Sequence, residues 1–470
     1  MEKNMRRSSK IILILLGVSL LCGMLSCGKR NKDNNDQVIE DLLFGEDSAL
    51  HEKRLQEYET PYTLCYQNND GSVSVYIFPS PIAYKDENGC LKLIDTALKP
   101  VKEKALKKGG YVLQTSAGDA ISYYPDKLSA NPIIVKSQQA EISFNIEEAY
   151  RGNRCVQSVY SDLLGGEHDV VSYLDNNSLE FEYLPTATGT TIYITFNEKP
   201  KSNEISFLID KLPDTSFTLL DDKLIAVTSN TNSTSVAVVR QSFLVDAKGK
   251  TSFNSNVRLE ESSSEAKCTF ILDDGFISDT NTNYPVSFSV SFDIMPNSLT
   301  NVSKYTNQPN DVLSDYSVLG VNDYHGSGSL YLKFRVAYFI KSYEQNVKQA
   351  NYNFVNLIGG LGTPIAFQRI KGFWNTNSLN NELPEAYATE GNVNIDDSGR
   401  CSIDITEYIK LCVYDDSLNT EDYGLLVCNN GENMKIISNY NNSMYKPYVR
   451  IDFYDLPWTF ENVEKIDPST

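Results

Sequence analysis

Histidine and tryptophan are nearly missing from this chain of 470 residues, which has three of the first and two of the second. A Ser-His-Asp triad or a histidine-rich metal centre therefore has few places to form, and no H-E-x-x-H occurs. There is no C-x-x-C pair, which removes a zinc ribbon from consideration. Beyond Cys22 and Cys27 the cysteines are Cys65, Cys90, Cys155, Cys268, Cys401, Cys412 and Cys428. An odd, scattered set of this kind predicts buried small hydrophobes rather than a disulfide framework. No glycine-rich strand-to-helix junction is present, so a nucleotide-binding α/β unit is not expected. Basic charge is also short: 42 Lys and Arg stand against 61 Asp and Glu, for a net charge of −19. A surface with that balance and no basic stripe repels nucleic acid, so no nucleic-acid partner is expected.

The N-terminus supplies what the rest lacks. "MEKNMRRSSK" is basic, "IILILLGVSLL" is apolar but too short for a permanent span, and "GMLSC" places Ser26 before Cys27. This resembles a bacterial lipoprotein signal, in which residues 1–26 are removed and Cys27 is diacylated; ordinary secretory cleavage is the alternative. Either route places the chain outside the cytosol, and the lipid route ties it to the outer face of a membrane. Losing Glu2, Lys3, Arg6, Arg7 and Lys10 would take the net charge from −19 to −22. Residues 27–58 read as a lipid-anchored tether, polar in "GKRNKDNNDQ" and with room for a short helix in "VIEDLLFGEDSALHEKRLQEYE".

From Thr60 the pattern becomes short alternating or β-branched runs between turn dipeptides, in a chain with 29 Tyr and 20 Phe. Such residues fit a pleated, half-buried surface, and the spacing predicts an all-β protein of two or more antiparallel β-sandwich units. Asp70-Gly71 and Asn88-Gly89 mark hairpins. A polar connector after Ile294 divides a β region, 59–298, from a second, 299–456, and 457–470 reads as a C-terminal tail. One helical turn is expected at "DITEYIKLCV", capped by Asp404 or Thr406.

The second region carries a likeness. Tyr331-Leu332-Lys333-Phe334, Ile370 to Trp374, Asp404-Ile405-Thr406, Tyr423-Gly424-Leu425-Leu426 and Lys446-Pro447-Tyr448-Val449 follow in the order of the DNRLRE domain. That family consists of extracellular bacterial β-sandwiches grouped with carbohydrate-binding modules; Arg335 departs from its usual acid. The first region resembles the segment that precedes the repeats in RHS/YD-repeat wall-associated proteins of Gram-positive bacteria. The residues concerned are Pro81 to Asp86, Leu179 to Tyr183, Val245 to Gly249 and Tyr284-Pro285-Val286, with Ala83 where that family often has His. The two likenesses imply an exported surface protein with a polysaccharide or cell-wall glycan as partner.

Chemistry of its own is harder to find, and no catalytic residue is expected. His51 falls in the tether, His168 in "GGEHDVV" reads as a loop residue, and His325 sits in a turn. The acid pairs Asp221-Asp222, Asp273-Asp274, Asp396-Asp397 and Asp415-Asp416 lie at turns, where Asp is favoured for its backbone hydrogen bonds. Sugar binding needs exposed aromatic faces, for which Tyr324, Trp374, Tyr440 and Tyr445 are the candidates, the last two within the polar "SNYNNSMYKP". Calcium is the one cofactor the acidic loops suggest, with Asp311, Asp315 and Asp323 as ligands. The expected function is non-catalytic polysaccharide binding at a cell surface. A structural or adhesive scaffold that binds protein partners is the alternative, and a polysaccharide-degrading enzyme is the third reading.

Overall fold

A computed structural model describes residues 35–460 except 79, 139, 148–150, 153, 163–165, 174–178, 221–223, 232–234, 295–301, 307–315, 323–325, 335–339, 343, 359–364, 372–384, 388–390, 394–398, 415–423, 430–434, 439–444 and 458. The protein is all-β and built from antiparallel sheets, as the strand spacing predicts. Its described residues divide into two compact units, one made from residues 94–297 and the other from residues 35–93 together with those after 298.

The first unit is a sandwich of an eight-stranded and a ten-stranded sheet. Its central strand, Val286–Ile294, shows how the sequence dictates the packing. Val286, Phe288, Val290, Phe292 and Ile294 enter the core, while Ser287, Ser289, Ser291 and Asp293 take the opposite face. Phe292 stacks on Phe144 of the strand Glu141–Ile146 in the other sheet, with centroids 3.8 Å apart, and meets Phe207 at 5.3 Å. Burying one such ring contributes about 1.5–3 kcal/mol, and each aromatic pair adds about 0.5–1.5 kcal/mol.

The second unit contains a nine-stranded and a five-stranded sheet. Here the structure corrects the boundary read at residue 59. Thr63–Asn68 and Val73–Ile77 form a hairpin whose second strand pairs with Tyr448–Phe453 near the C-terminus, Val75 facing Ile451. Cys65, Val73, Val75 and Ile77 point into the core that Val449, Ile451, Phe453, Leu425 and Val427 complete. The segment 59–93 thus belongs with the C-terminal residues. Local patterning shows that a strand exists; it does not say which distant strand will pair with it.

The tether is corrected for the same reason. From Asn35 the chain is structured as a helix, Asn35–Phe44, a 3-10 turn, Gly45–Leu50, and the strand His51–Arg54. Phe44 is buried against Tyr66, Tyr76, Phe78 and Tyr448, which occupy the second face of the strands that fill the core with their other side chains.

Both expected hairpins are present. In the second, Asp86 Oδ1 accepts from the amides of Asn88 and Cys90, each at 2.9 Å, and Gly89 takes φ +77°. Asp246 repeats the arrangement with Lys248 and Lys250, and Gly249 lies at φ +81°. The aspartate supplies the acceptor and the glycine the left-handed residue, so each turn needs both. The helix Thr406–Tyr414 also starts where expected, with Asp404 Oδ1 accepting from the Thr406 amide at 2.9 Å.

Because a core strand of the second unit comes from Val73–Ile77, residues 299–456 expressed alone should not give a native fold. Dispersed amide signals and cooperative unfolding should appear only when residues 28–93 are supplied, in the full chain or as a separate fragment. A cooperatively folded 299–456 fragment would overturn the pairing.

Candidate functional site

Most of the residues singled out in the sequence, Cys27, Tyr324, Trp374, Tyr440, Asp311, Asp315 and Asp323, lie outside the described residues, as does His325. Tyr445 is described and is not a platform: only 8 % of it is exposed. The neighbouring Lys446 Nζ donates to the Pro81 carbonyl at 3.0 Å, so Tyr445 and Lys446 lie close to the chain before the Asp86 turn. Among the described residues no group of three His, Cys, Asp or Glu side chains could hold a metal ion. Asp273 caps the helix Asp274–Ser278 through the Phe276 amide, as its place at a turn suggests.

His51 is not in a tether. Its ring stacks on Tyr66 at 3.9 Å, and its Nε2 lies 2.9 Å from the Tyr76 hydroxyl. Burial, reinforced by the Arg450 guanidinium, lowers its pKa to about 4, so the imidazole is neutral at ordinary pH and packs as an aromatic ring.

An exposed aromatic does stand in the second unit, at a position the sequence did not mark. Ile370 forms a bridge with Ala386, and the flanking residues exchange backbone bonds: Tyr387 N–H to the Arg369 carbonyl and Lys371 N–H to that of Glu385, both 2.8 Å. With buried Ile370 turned inward, strand alternation puts Arg369, Lys371, Glu385 and Tyr387 together on the other side. Tyr387 is 48 % exposed, with the Arg369 guanidinium 5.2 Å and the Lys371 ammonium 5.5 Å from its ring centre. Lys371 also reaches Glu385 at 3.7 Å. The result is a solvent-facing ring bordered by donors of two kinds and one carboxylate. "PEAYATEG" gives no hint of it, since only the pairing with Arg369 and Lys371 assembles the group.

The first unit carries a second polar group, on the face of the ten-stranded sheet turned away from its core. Glu182 lies opposite Ser172 on one side and Tyr193 on the other. The rings of Tyr160 and Tyr193 stack at 6.0 Å over this face, where register also places the buried Val170 and Leu184. Glu180, two residues from Glu182 on the same strand face, accepts from Asn197 Nδ2 at 2.9 Å. His168 Nε2 lies 2.8 Å from Asp162 Oδ2, so this histidine is hydrogen-bonded in a strand and is not the loop residue expected. Burial, with a smaller push from Glu180, raises the Glu182 pKa to about 7.

No family model matches the chain, and no curated protein matches it.

The Glu182 carboxyl makes stability depend on pH. Its pKa rises from an ordinary 4.5 to about 7 on folding, so the unfolded chain releases this proton first and the fold loses stability as pH rises from 4.5 to 7. Glu182→Gln removes that loss. The variant should be about 2–3 kcal/mol more stable than the parent at pH 8, with the gap closing near pH 4.5, as read from urea unfolding across pH.

Proposed function

We propose that this chain is a lipid-anchored, extracellular, non-catalytic surface protein that binds polysaccharide through its second unit. The observation that carries the binding half is the Tyr387 platform. A sugar ring presents C–H groups on its faces and hydroxyls around its rim, so it is matched by an exposed aromatic face with polar groups beside it. Arg369 and Lys371 can donate to hydroxyls, and Glu385 can accept from them. A cation resting on an exposed ring contributes only about 0.5–1 kcal/mol there, so one of the two can move aside when a sugar stacks. The platform lies within 299–456, the stretch that resembles the DNRLRE domain, and that likeness supports the same reading.

The anchoring half rests on the N-terminal pattern. Two acyl chains on one cysteine suffice for stable membrane attachment, whereas one chain gives only marginal binding. Met24-Leu25-Ser26 before Cys27 supports it, as does the short apolar run that precedes.

Titrating the chain from residue 28 onward against a panel of cell-wall and plant polysaccharides should give saturable heat with at least one. Tyr387→Ala should weaken that binding at least about tenfold, an amount in keeping with losing one stacked ring. Loss of binding in EDTA would put a calcium ion in the site. If no glycan binds, the scaffold reading replaces this one.

Expressed with its own N-terminus in a Gram-positive host, the protein should fractionate with the membrane, and Cys27→Ser should release it into the medium. Equal membrane retention of both forms would sink the lipid anchor.

A further inference from the structure

The ten-stranded sheet of the first unit ends in the strand Cys155–Ser161, and this edge differs from the others. Its seven residues, "CVQSVYS", pair without a break with Glu167–Tyr173 on one side, and among the described residues no strand pairs with the other side. Cys155 N–H donates to the Asp126 carbonyl at the strand's start; the edge is open from Val156. Gln157, Ser158, Val159 and Ser161 are exposed, and Val159 is 58 % exposed, high for a large aliphatic side chain.

Sheet edges that must stay single carry charges, prolines, bulges or very few residues, because a bare ladder of amides and carbonyls is a template for another strand. Among the described residues, the other terminal strands of the large sheets follow that rule with one exception. Asp95–Pro100 has Asp95, Lys99, Pro100 and a register shift, and Asn256–Glu261 has Arg258, Glu260 and Glu261. His51–Arg54 has Glu52, Lys53 and Arg54, Val302–Thr306 has Lys304, and Gly326–Gly328 and Gly391–Val393 are three residues long. Thr215–Leu220 is uncharged, but it lies against Asn256–Glu261. Among the described terminal strands longer than three residues, Cys155–Ser161 alone has no charge, proline, glycine, bulge or described cover, in a chain whose net charge is −19.

We infer that Cys155–Ser161 is a self-association edge, where two copies of this chain pair antiparallel about a two-fold axis through Ser158. A second copy is the occupant that the chemistry favours. Two strongly acidic chains repel almost everywhere, and an uncharged edge lets them approach without burying like charges. The strand is also self-complementary in this register. Val156 of one copy faces Tyr160 of the other on the outer face, and Gln157 faces Val159 on the inner face, with cross-strand Cβ atoms about 4.5–5.5 Å apart. A two-fold pairing uses the edge up and leaves nothing for a third copy, so the assembly stops at a dimer.

Sedimentation equilibrium of the chain from residue 28 onward, which keeps both units whole, should show a concentration-dependent dimer. Val159→Lys puts two ammonium groups beside the axis and should raise the dimer dissociation constant at least about tenfold. Its melting temperature should not change, because Val159 contributes little to the core. Should Val159→Lys perturb the fold, cross-linking decides instead. In a Cys90→Ser background, Ser158→Cys should form a disulfide-linked dimer under oxidised glutathione, while Cys90→Ser alone should not. A chain that stays monomeric at every concentration overturns the inference. So does a dimer that tolerates Val159→Lys and gives no Ser158→Cys cross-link, or binding of an unrelated β-strand peptide at this edge with no self-association.

Discussion

One strand pairing organises the second unit: Val73–Ile77 against Tyr448–Phe453. It is reinforced by a buried contact between residues 378 positions apart, where Ser74 Oγ donates to Asp452 Oδ1 at 2.6 Å. Asn68 Nδ2 donates to Ser74 Oγ at 2.8 Å, and Arg450 Nε donates to Asp452 at 3.0 Å. With Ser74 and Asp452 almost sealed from water, each member needs its neighbours, because a buried polar group without a partner costs about 1–3 kcal/mol. The first unit is then an insertion between Leu93 and Ser298 of the second. The entropy of closing so long a loop rises only logarithmically with its length, about 0.6 kcal/mol per doubling, so an extensive core offsets it.

The same strands serve two cores because their side chains alternate. Cys65, Val75, Ile77, Val449 and Ile451 face one way; Leu64, Tyr66, Tyr76, Phe78 and Tyr448 face the other, where Phe44 completes the cluster. This explains why the helix Asn35–Phe44 is ordered although half its residues are polar. A ten-residue helix is marginal in water, and tertiary packing of Ile39, Leu43 and Phe44 decides whether it forms. The low pKa of His51 follows from the same burial, and a neutral ring is what lets this residue stack on Tyr66 inside an otherwise apolar cluster.

What the sequence made legible was whatever is encoded within a few residues. Asp70-Gly71 and Asp86 to Gly89 specify their turns through a side-chain acceptor and a left-handed glycine. The strict alternation of Val286–Ile294 specifies a strand with one apolar and one polar face, though both faces are buried, and Asp404 specifies a helix start. Pairing partners are not local, so the true membership of residues 59–93 could not be read. Exposure is not local either. Polar neighbours made Tyr445 look solvent-facing, yet it is buried beside a segment near Pro81, while Tyr387 gains its setting from Arg369 and Lys371 across a bridge.

For a chain proposed to work outside the cytosol, the state of its cysteines bears on how it holds together. Cys65, Cys90, Cys155 and Cys268 form no disulfide. Cys65 and Cys268 are fully buried in different units, and burial pushes both thiols up, Cys268 to about 12. The thiolate is the reactive species, so at neutral pH these groups are close to inert and behave as small apolar side chains. Disulfides become necessary where a small domain cannot bury enough surface, and neither unit is small. Two extensive cores, each closed by sheets that pair residues far apart in the chain, hold the units together without cross-links among these four cysteines, and Cys65 and Cys268 pack within those cores as small apolar side chains.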